Sequence, residues 1–125
     1  MNVNSILALF GNAYTQVKYR LFKSYCMALY GCVLWVFSSP GFTRFCTTWR
    51  KSIRRLFQLS YMTHSKYLPL ICQDIPFRLQ LFRRFNRFMF NSLNSDNPNV
   101  KLCSHQVLHG SMSNVGKNVN TICQE

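Results

Sequence analysis

Three carboxylates, three histidines and six cysteines are the groups in this sequence that could hold a metal or move a proton, set against fifteen lysines and arginines. The carboxylates are Asp74, Asp96 and Glu125, far apart along the chain. Two-metal phosphoryl transfer needs clustered carboxylates and glycoside hydrolysis a placed pair. Neither is expected, and the chain reads as a non-enzyme without catalytic residues. His105 and His109 stand four apart with Cys103 nearby, so one helical turn would present two ligands. A third ligand at fixed spacing is missing, because Cys123 lies beyond a Gly/Asn stretch, and no metal site is expected. His64 has no neighbouring acid to orient it as a base and is read as a loop residue that caps a helix or bonds a backbone carbonyl. No cofactor or small-molecule substrate is implied.

The cations carry the better-defined chemistry. Stepping 100° per residue from Phe42 puts Phe42, Phe45, Cys46, Trp49, Ile53, Leu56 and Phe57 within an arc of roughly 120°. Arg44, Arg50, Lys51, Arg54 and Arg55 take the remaining surface. Further on, Arg83, Arg84 and Arg87 lie opposite a stripe of Phe77, Leu81, Phe85 and Phe88, flanked by Phe82, Met89 and Leu93. Solvated helix faces normally mix signs in i, i+4 pairs. Here Arg50, Lys51, Arg54 and Arg55 have no local acid, so their repulsion is relieved only by a polyanion. Arginines outnumber lysines nine to six, and the guanidinium fork suits phosphate bidentately. These eight cations are the candidate nucleic-acid contacts. The same basic amphipathic segment also has the look of a calmodulin target or an interfacial membrane helix, but other Phe-rich segments are available to cover its apolar face.

The elements that must position these residues read as helices. Hydrophobic content is 48% with eleven Phe, enough for a core, while 14% of residues are charged and the net charge is +12; an ordinary globular chain is about a quarter charged. Residues 1–90 hold thirteen Lys/Arg against Asp74. Residues 91–125 sum to zero charge, lack aromatics and are rich in Asn and Ser. The chain thus divides into a basic, Phe-rich module, 1–90, and a neutral segment, 91–125, holding a short helix and a loosely packed tail. Tyr14, Val17, Leu21, Tyr25, Ala28 and Cys32 fall at the spacing of one helix face. The apolar run Cys26–Phe37 is about a dozen residues where a membrane span needs roughly twenty, and is read as a buried helix. Within it Ala28, Gly31 and Cys32 would let a neighbour approach closely. Ser38–Gly41 is read as a stop, Asp74 and Pro76 as a helix start, and Val100–His109 as a final helix. The expected fold is all-α, a small bundle of four or five short amphipathic helices.

The N-terminus carries no Lys or Arg ahead of an apolar stretch too short for a signal peptide. The six cysteines are scattered without a CxxC, as reduced thiols acting as small core hydrophobes would be. An intracellular protein, cytoplasmic or nuclear and not secreted, is expected.

The string Leu21-Phe22-Lys23-Ser24-Tyr25-Cys26-Met27-Ala28-Leu29-Tyr30-Gly31, followed by Leu34-Trp35, resembles a segment of non-long-terminal-repeat (LINE-type) retrotransposon reverse transcriptases. So does Trp49-Arg50-Lys51-Ser52-Ile53-Arg54-Arg55-Leu56, with Thr63-His64-Ser65 and Tyr67-Leu68-Pro69-Leu70-Ile71 after it. Gln80-Leu81, Arg84-Phe85 and the Ser95-Asp96-Asn97-Pro98 turn extend the likeness over nearly the whole chain. Ser60 and Val36 depart from it, standing where Leu-Pro-Tyr and an acid are common. In that family the region lies downstream of the polymerase palm, in the thumb and the stretch after it. The resemblance implies a helical module that packs on a template–primer duplex, an RNA/DNA hybrid or RNA, and a partner in the missing palm and fingers. The palm's paired aspartates and the upstream endonuclease would precede Met1. Two further readings stand beside a nucleic-acid-binding remnant: a translated relic with no selected function, and a membrane-surface or protein-interaction module.

Overall fold

The computed structural model describes residues 2–110 and 112–124. Glu125, counted above among the carboxylates, lies outside them. Among the described residues the chain is all-helical, without strands. It has seven α-helices where four or five were expected: α1 (Val3–Phe10), α2 (Thr15–Tyr25), α3 (Pro40–Leu56), α4 (Leu68–Cys72), α5 (Phe77–Leu93), α6 (Pro98–Leu108) and α7 (Asn114–Gln124). Short 3₁₀ turns occupy Cys32–Leu34 and Ser65–Tyr67. No described helix is long and apolar enough to cross a membrane.

The chain forms two compact units, one of Met1–Tyr30 with Cys46–Pro76, the other of Gly31–Phe45 with Phe77–Glu125. The compositional break at residues 90/91 falls inside α5.

In the first unit α1 begins where the Asn2 side chain accepts the Ser5 N–H at 3.0 Å, an N-cap worth about 1 kcal/mol. Ile6, Tyr19, Phe22, Trp49, Ile53, Leu56, Leu68 and Cys72 are buried there. Lys23 Nζ pairs with Asp74 at 2.7 Å, and the Tyr19 hydroxyl donates to the same carboxylate at 3.1 Å. The helix face expected through Tyr14, Val17 and Tyr25 is not the buried one. Those three are exposed, and Tyr19 and Phe22, three apart, turn inward instead. The apolar residues of α2 spread over an arc of roughly 200°, and the buried part is its Phe22–Tyr19 edge, which spacing alone did not select.

The second unit is built on Phe37, whose ring centroid lies 5.1, 5.3 and 5.8 Å from those of Phe42, Phe82 and Phe85. Phe77, Leu81 and Met89 of α5 complete the stripe, while Phe88 is 39% exposed. The fully buried Asn118 of α7 reaches the backbone that carries Phe37. The tail is therefore not uniformly loose: α6 buries only Ser104, but α7 inserts a polar anchor.

Two further expectations fail for backbone reasons. Cys26–Phe37 is not a helix: α2 ends at Tyr25, Gly31 adopts a left-handed φ of 69°, and only Cys32–Leu34 turns again. Its side chains are divided rather than uniformly buried, with Leu29, Cys32 and Phe37 inside and Tyr30 and Ala28 outside, so no close helix approach is made at Ala28. Ser38–Gly41 begins a helix instead of ending one. Pro40 takes the first helical position, where its missing N–H costs nothing, and Ser39 Oγ accepts the Phe42 N–H at 3.2 Å.

Candidate functional site

Helix α3 is the element that sets the first cationic surface. Phe42, Cys46, Trp49, Ile53 and Leu56 are buried along it, which fixes its rotation and turns the basic residues outward. Phe45 is partly exposed, its ring edge-on to Trp35 with centroids 5.0 Å apart. Arg54 and Arg55 lie in the last turn, where cations meet the negative end of the helix dipole. The helix closes with Gln58 in the left-handed region at φ 53°. The Leu59 N–H bonds the Arg54 carbonyl at 2.8 Å and the Gln58 N–H the Arg55 carbonyl at 3.1 Å. This is a Schellman closure with glutamine where glycine is usual.

The predicted contacts divide into three kinds. Lys51 and Arg55 are exposed and bond to no described residue. With Thr48 and Ser52 they form one stripe at i, i+3, i+4 and i+7, which lines an open groove of about 330 Å³ together with Asn2, Val3 and Asn4. Arg50 is half-buried beside them. Arg54 is different. Its Nε and Nη2 donate to the Thr63 carbonyl at 3.0 and 2.8 Å, and Nη2 also reaches Ser65 Oγ at 3.0 Å. This arginine is half-buried and ties a loop to α3, so its fork is occupied by protein rather than open to phosphate. Arg44 is exposed in the second unit, as are Arg83, Arg84 and Arg87 on α5. Arg83 and Arg84 each lie one turn before Arg87 and share its face, and none of the three is paired with a described residue. The eight cations thus divide between the units, Arg50, Lys51, Arg54 and Arg55 in the first and Arg44, Arg83, Arg84 and Arg87 in the second.

The segment Ser60–Lys66 is readable as a loop, but not as the partner of Arg54. The Thr63 N–H bonds the Ser60 carbonyl at 3.0 Å and the Met62 N–H bonds Ser60 Oγ at 3.2 Å. His64 Nδ1 accepts the Lys66 N–H at 3.2 Å, capping the 3₁₀ turn in the manner expected of it. Lys66 Nζ lies 5.1 Å from the centre of the Tyr67 ring. Tyr61 projects from this loop 85% exposed. Arg78 was also missed. Its guanidinium lies 5.6 and 5.3 Å from the centres of the Phe42 and Phe82 rings, a cation–π arrangement in the second unit. The pattern that could have flagged it is an Arg one turn ahead of a Phe.

The titratable groups follow from their surroundings. Burial alone would raise the Asp74 pKa. Hydrogen bonds from Lys23, the Ile75 N–H and Tyr19, with the Lys23 charge, outweigh it and hold the carboxyl below its ordinary value. Burial, and then the Asp74 charge, push the Cys72 thiol up to about 12. Burial likewise raises Cys26. All six cysteines are free thiols. His105 and His109 are exposed at the end of α6, and no cluster of three metal ligands forms among the described residues. Comparison of the chain with protein-family models, with curated proteins and with solved structures returns no match.

Proposed function

We propose that the chain is a non-catalytic nucleic-acid-binding module that grips the phosphate backbone without reading sequence, a remnant of the thumb region of a LINE-type reverse transcriptase whose palm and fingers would be its protein partners. One observation carries the binding: Lys51 and Arg55 stand exposed on successive turns of α3, unpaired with any described residue, along a groove bordered by Asn2–Asn4. The segment Cys46–Gln73 around them contains no acid, and the first unit's one carboxylate, Asp74, is taken by Lys23. Like charges one turn apart repel by a few tenths of a kcal/mol per pair, and a polyanion relieves that while releasing its own counterions. Contacts of this kind position a ligand and carry no sequence information. Arg83, Arg84 and Arg87 form an equivalent patch on the second unit.

The test is a salt titration of binding by fluorescence anisotropy with an RNA/DNA hybrid. If about six phosphates are neutralised, affinity falls on the order of a thousandfold between 50 and 200 mM salt. Lys51→Glu with Arg55→Glu removes two of those contacts and lowers the log–log slope by about two. Arg54→Gln leaves the slope nearly as it was, because that guanidinium bonds the loop. A slope untouched by the Lys51/Arg55 pair rules out this surface.

A further inference from the structure

Resting on the backbone-binding reading, we propose that the loop Ser60–Tyr67 of the first unit is a stacking platform for an unpaired base, with the Tyr61 ring as its face, so that the α3 cations serve single-stranded nucleic acid in preference to duplex. Three observations converge on it. First, the aromatic surface is displayed rather than packed: Tyr61 is 85%, Met62 75% and Tyr67 48% exposed. Second, the loop displaying it is rigidly built. Two guanidinium nitrogens of Arg54 grip the Thr63 carbonyl and the Ser65 hydroxyl, Ser60 closes the turn at Met62 and Thr63, and His64 caps the next turn at Lys66. An exposed tyrosine on a fixed backbone loses little freedom when a ring stacks on it, whereas one on a mobile loop must first be ordered. Third, the charged residues close to the platform in sequence are all cations. Arg50 is one turn before Arg54 on the same side of α3, Lys66 is in the loop itself, and no Asp or Glu occurs between Cys46 and Gln73. A positive track beside an open aromatic face is the chemistry that holds single strands, since every base has a π-face while a duplex hides its bases in the stack.

The experiment uses the full chain, with a fluorescein-labelled deoxythymidine 12-mer, the same strand annealed to its complement, and phosphatidylcholine/phosphatidylserine vesicles, at 50 mM salt. The wild type is expected to bind the single strand several-fold tighter than the duplex. Tyr61→Leu, which keeps apolar bulk but removes the π-face, is expected to weaken single-strand binding about 5- to 100-fold and to leave duplex binding unchanged, and Tyr61→Trp to preserve the preference. Circular dichroism checks that the exposed position leaves the fold alone. Equal losses on both ligands, or none on either, overturn the platform while the backbone grip stands. A chain that binds neither oligonucleotide overturns the function proposed above and the platform with it. Vesicle binding that Tyr61→Leu abolishes, without oligonucleotide binding, assigns the same loop to a membrane surface and overturns the proposal.

Discussion

Asn118 is fully buried, and both ends of its amide are used. Its Oδ1 accepts the Phe37 N–H at 2.9 Å, while Nδ2 donates to the Trp35 carbonyl and, at 3.4 Å, to that of Val33. Three backbone groups of the segment between α2 and α3 are thus satisfied by one side chain, and the ring at the centre of the second unit is held from behind. Asn118→Ala strands those groups in the interior and is expected to cost about 2–4 kcal/mol. Asn118→Asp keeps the shape but replaces the donor with a carboxylate facing two carbonyls, and should be at least as damaging at pH 7. Urea denaturation followed by circular dichroism measures both, and a loss under about 0.5 kcal/mol would mean the amide is not the anchor. Nothing in the sequence marks this residue. It lies in a stretch whose Asn/Ser content reads as loose, and composition averages over the single asparagine that points inward. Phe37 was legible as apolar, but its partners Phe82 and Phe85 are more than forty residues away.

Helix α3 shows where periodicity succeeds and where it stops. Of the seven apolar positions readable as one stripe, Phe42, Cys46, Trp49, Ile53 and Leu56 are buried because a helix repeats its own geometry, while Phe45 is partly exposed and Phe57 lies half-buried past the helix end. Arg54 looked like its basic neighbours because its partners, Thr63 and Ser65, lie on a loop that no helical spacing places. The candidate site was therefore legible as a set of cations, but not as a division between the open Lys51 and Arg55 and the engaged Arg54. The Cys26–Phe37 run failed differently. Its hydropathy was real, yet burial does not require a helix, and Gly31 turns the backbone where a helix would have continued. The end of α3 offers a clean measure of local strain. Gln58 and, after α4, Gln73 occupy left-handed conformations at φ 53° and 52°, each closing a helix by a bond from the following N–H to a carbonyl five residues back. A side chain in that region costs about 1–2 kcal/mol that glycine does not incur, partly offset by the greater freedom of an unfolded glycine. Gln58→Gly and Gln73→Gly should each raise stability by about 0.5–1 kcal/mol, read as a higher urea midpoint with the m-value unchanged. A lower midpoint would show that the glutamine side chains contribute something beyond the turn.

Across the protein, a charge of +12 on 125 residues keeps like charges close wherever the fold is compact, and that self-repulsion opposes folding. What resists it is apolar burial in two separate units, each carrying thiols that report on it. Cys46 and Cys72 are buried in the first unit and Cys32 in the second, while Cys103 and Cys123 are exposed. The thiolate is the reacting form, so reactivity depends on access and on pKa together. Cys72 is disfavoured twice, being 2% exposed and pushed up to about 12 by burial and the nearby Asp74 charge. At pH 8 the fraction ionised there would be roughly one part in ten thousand. Iodoacetamide pulses read by peptide mass spectrometry should therefore modify Cys103 and Cys123 first and Cys26, half-buried with a raised pKa, more slowly. Cys32, Cys46 and Cys72 should react only when denaturant opens their units. Asp74→Asn removes the second influence on Cys72 without exposing it, so native Cys72 should stay unreactive while its alkylation after opening is unaffected. Labelling of Cys72 at the rate of Cys103 in the folded protein would show that the first unit does not close around it, and the surface that α3 presents would then lack the fixed support its cations require.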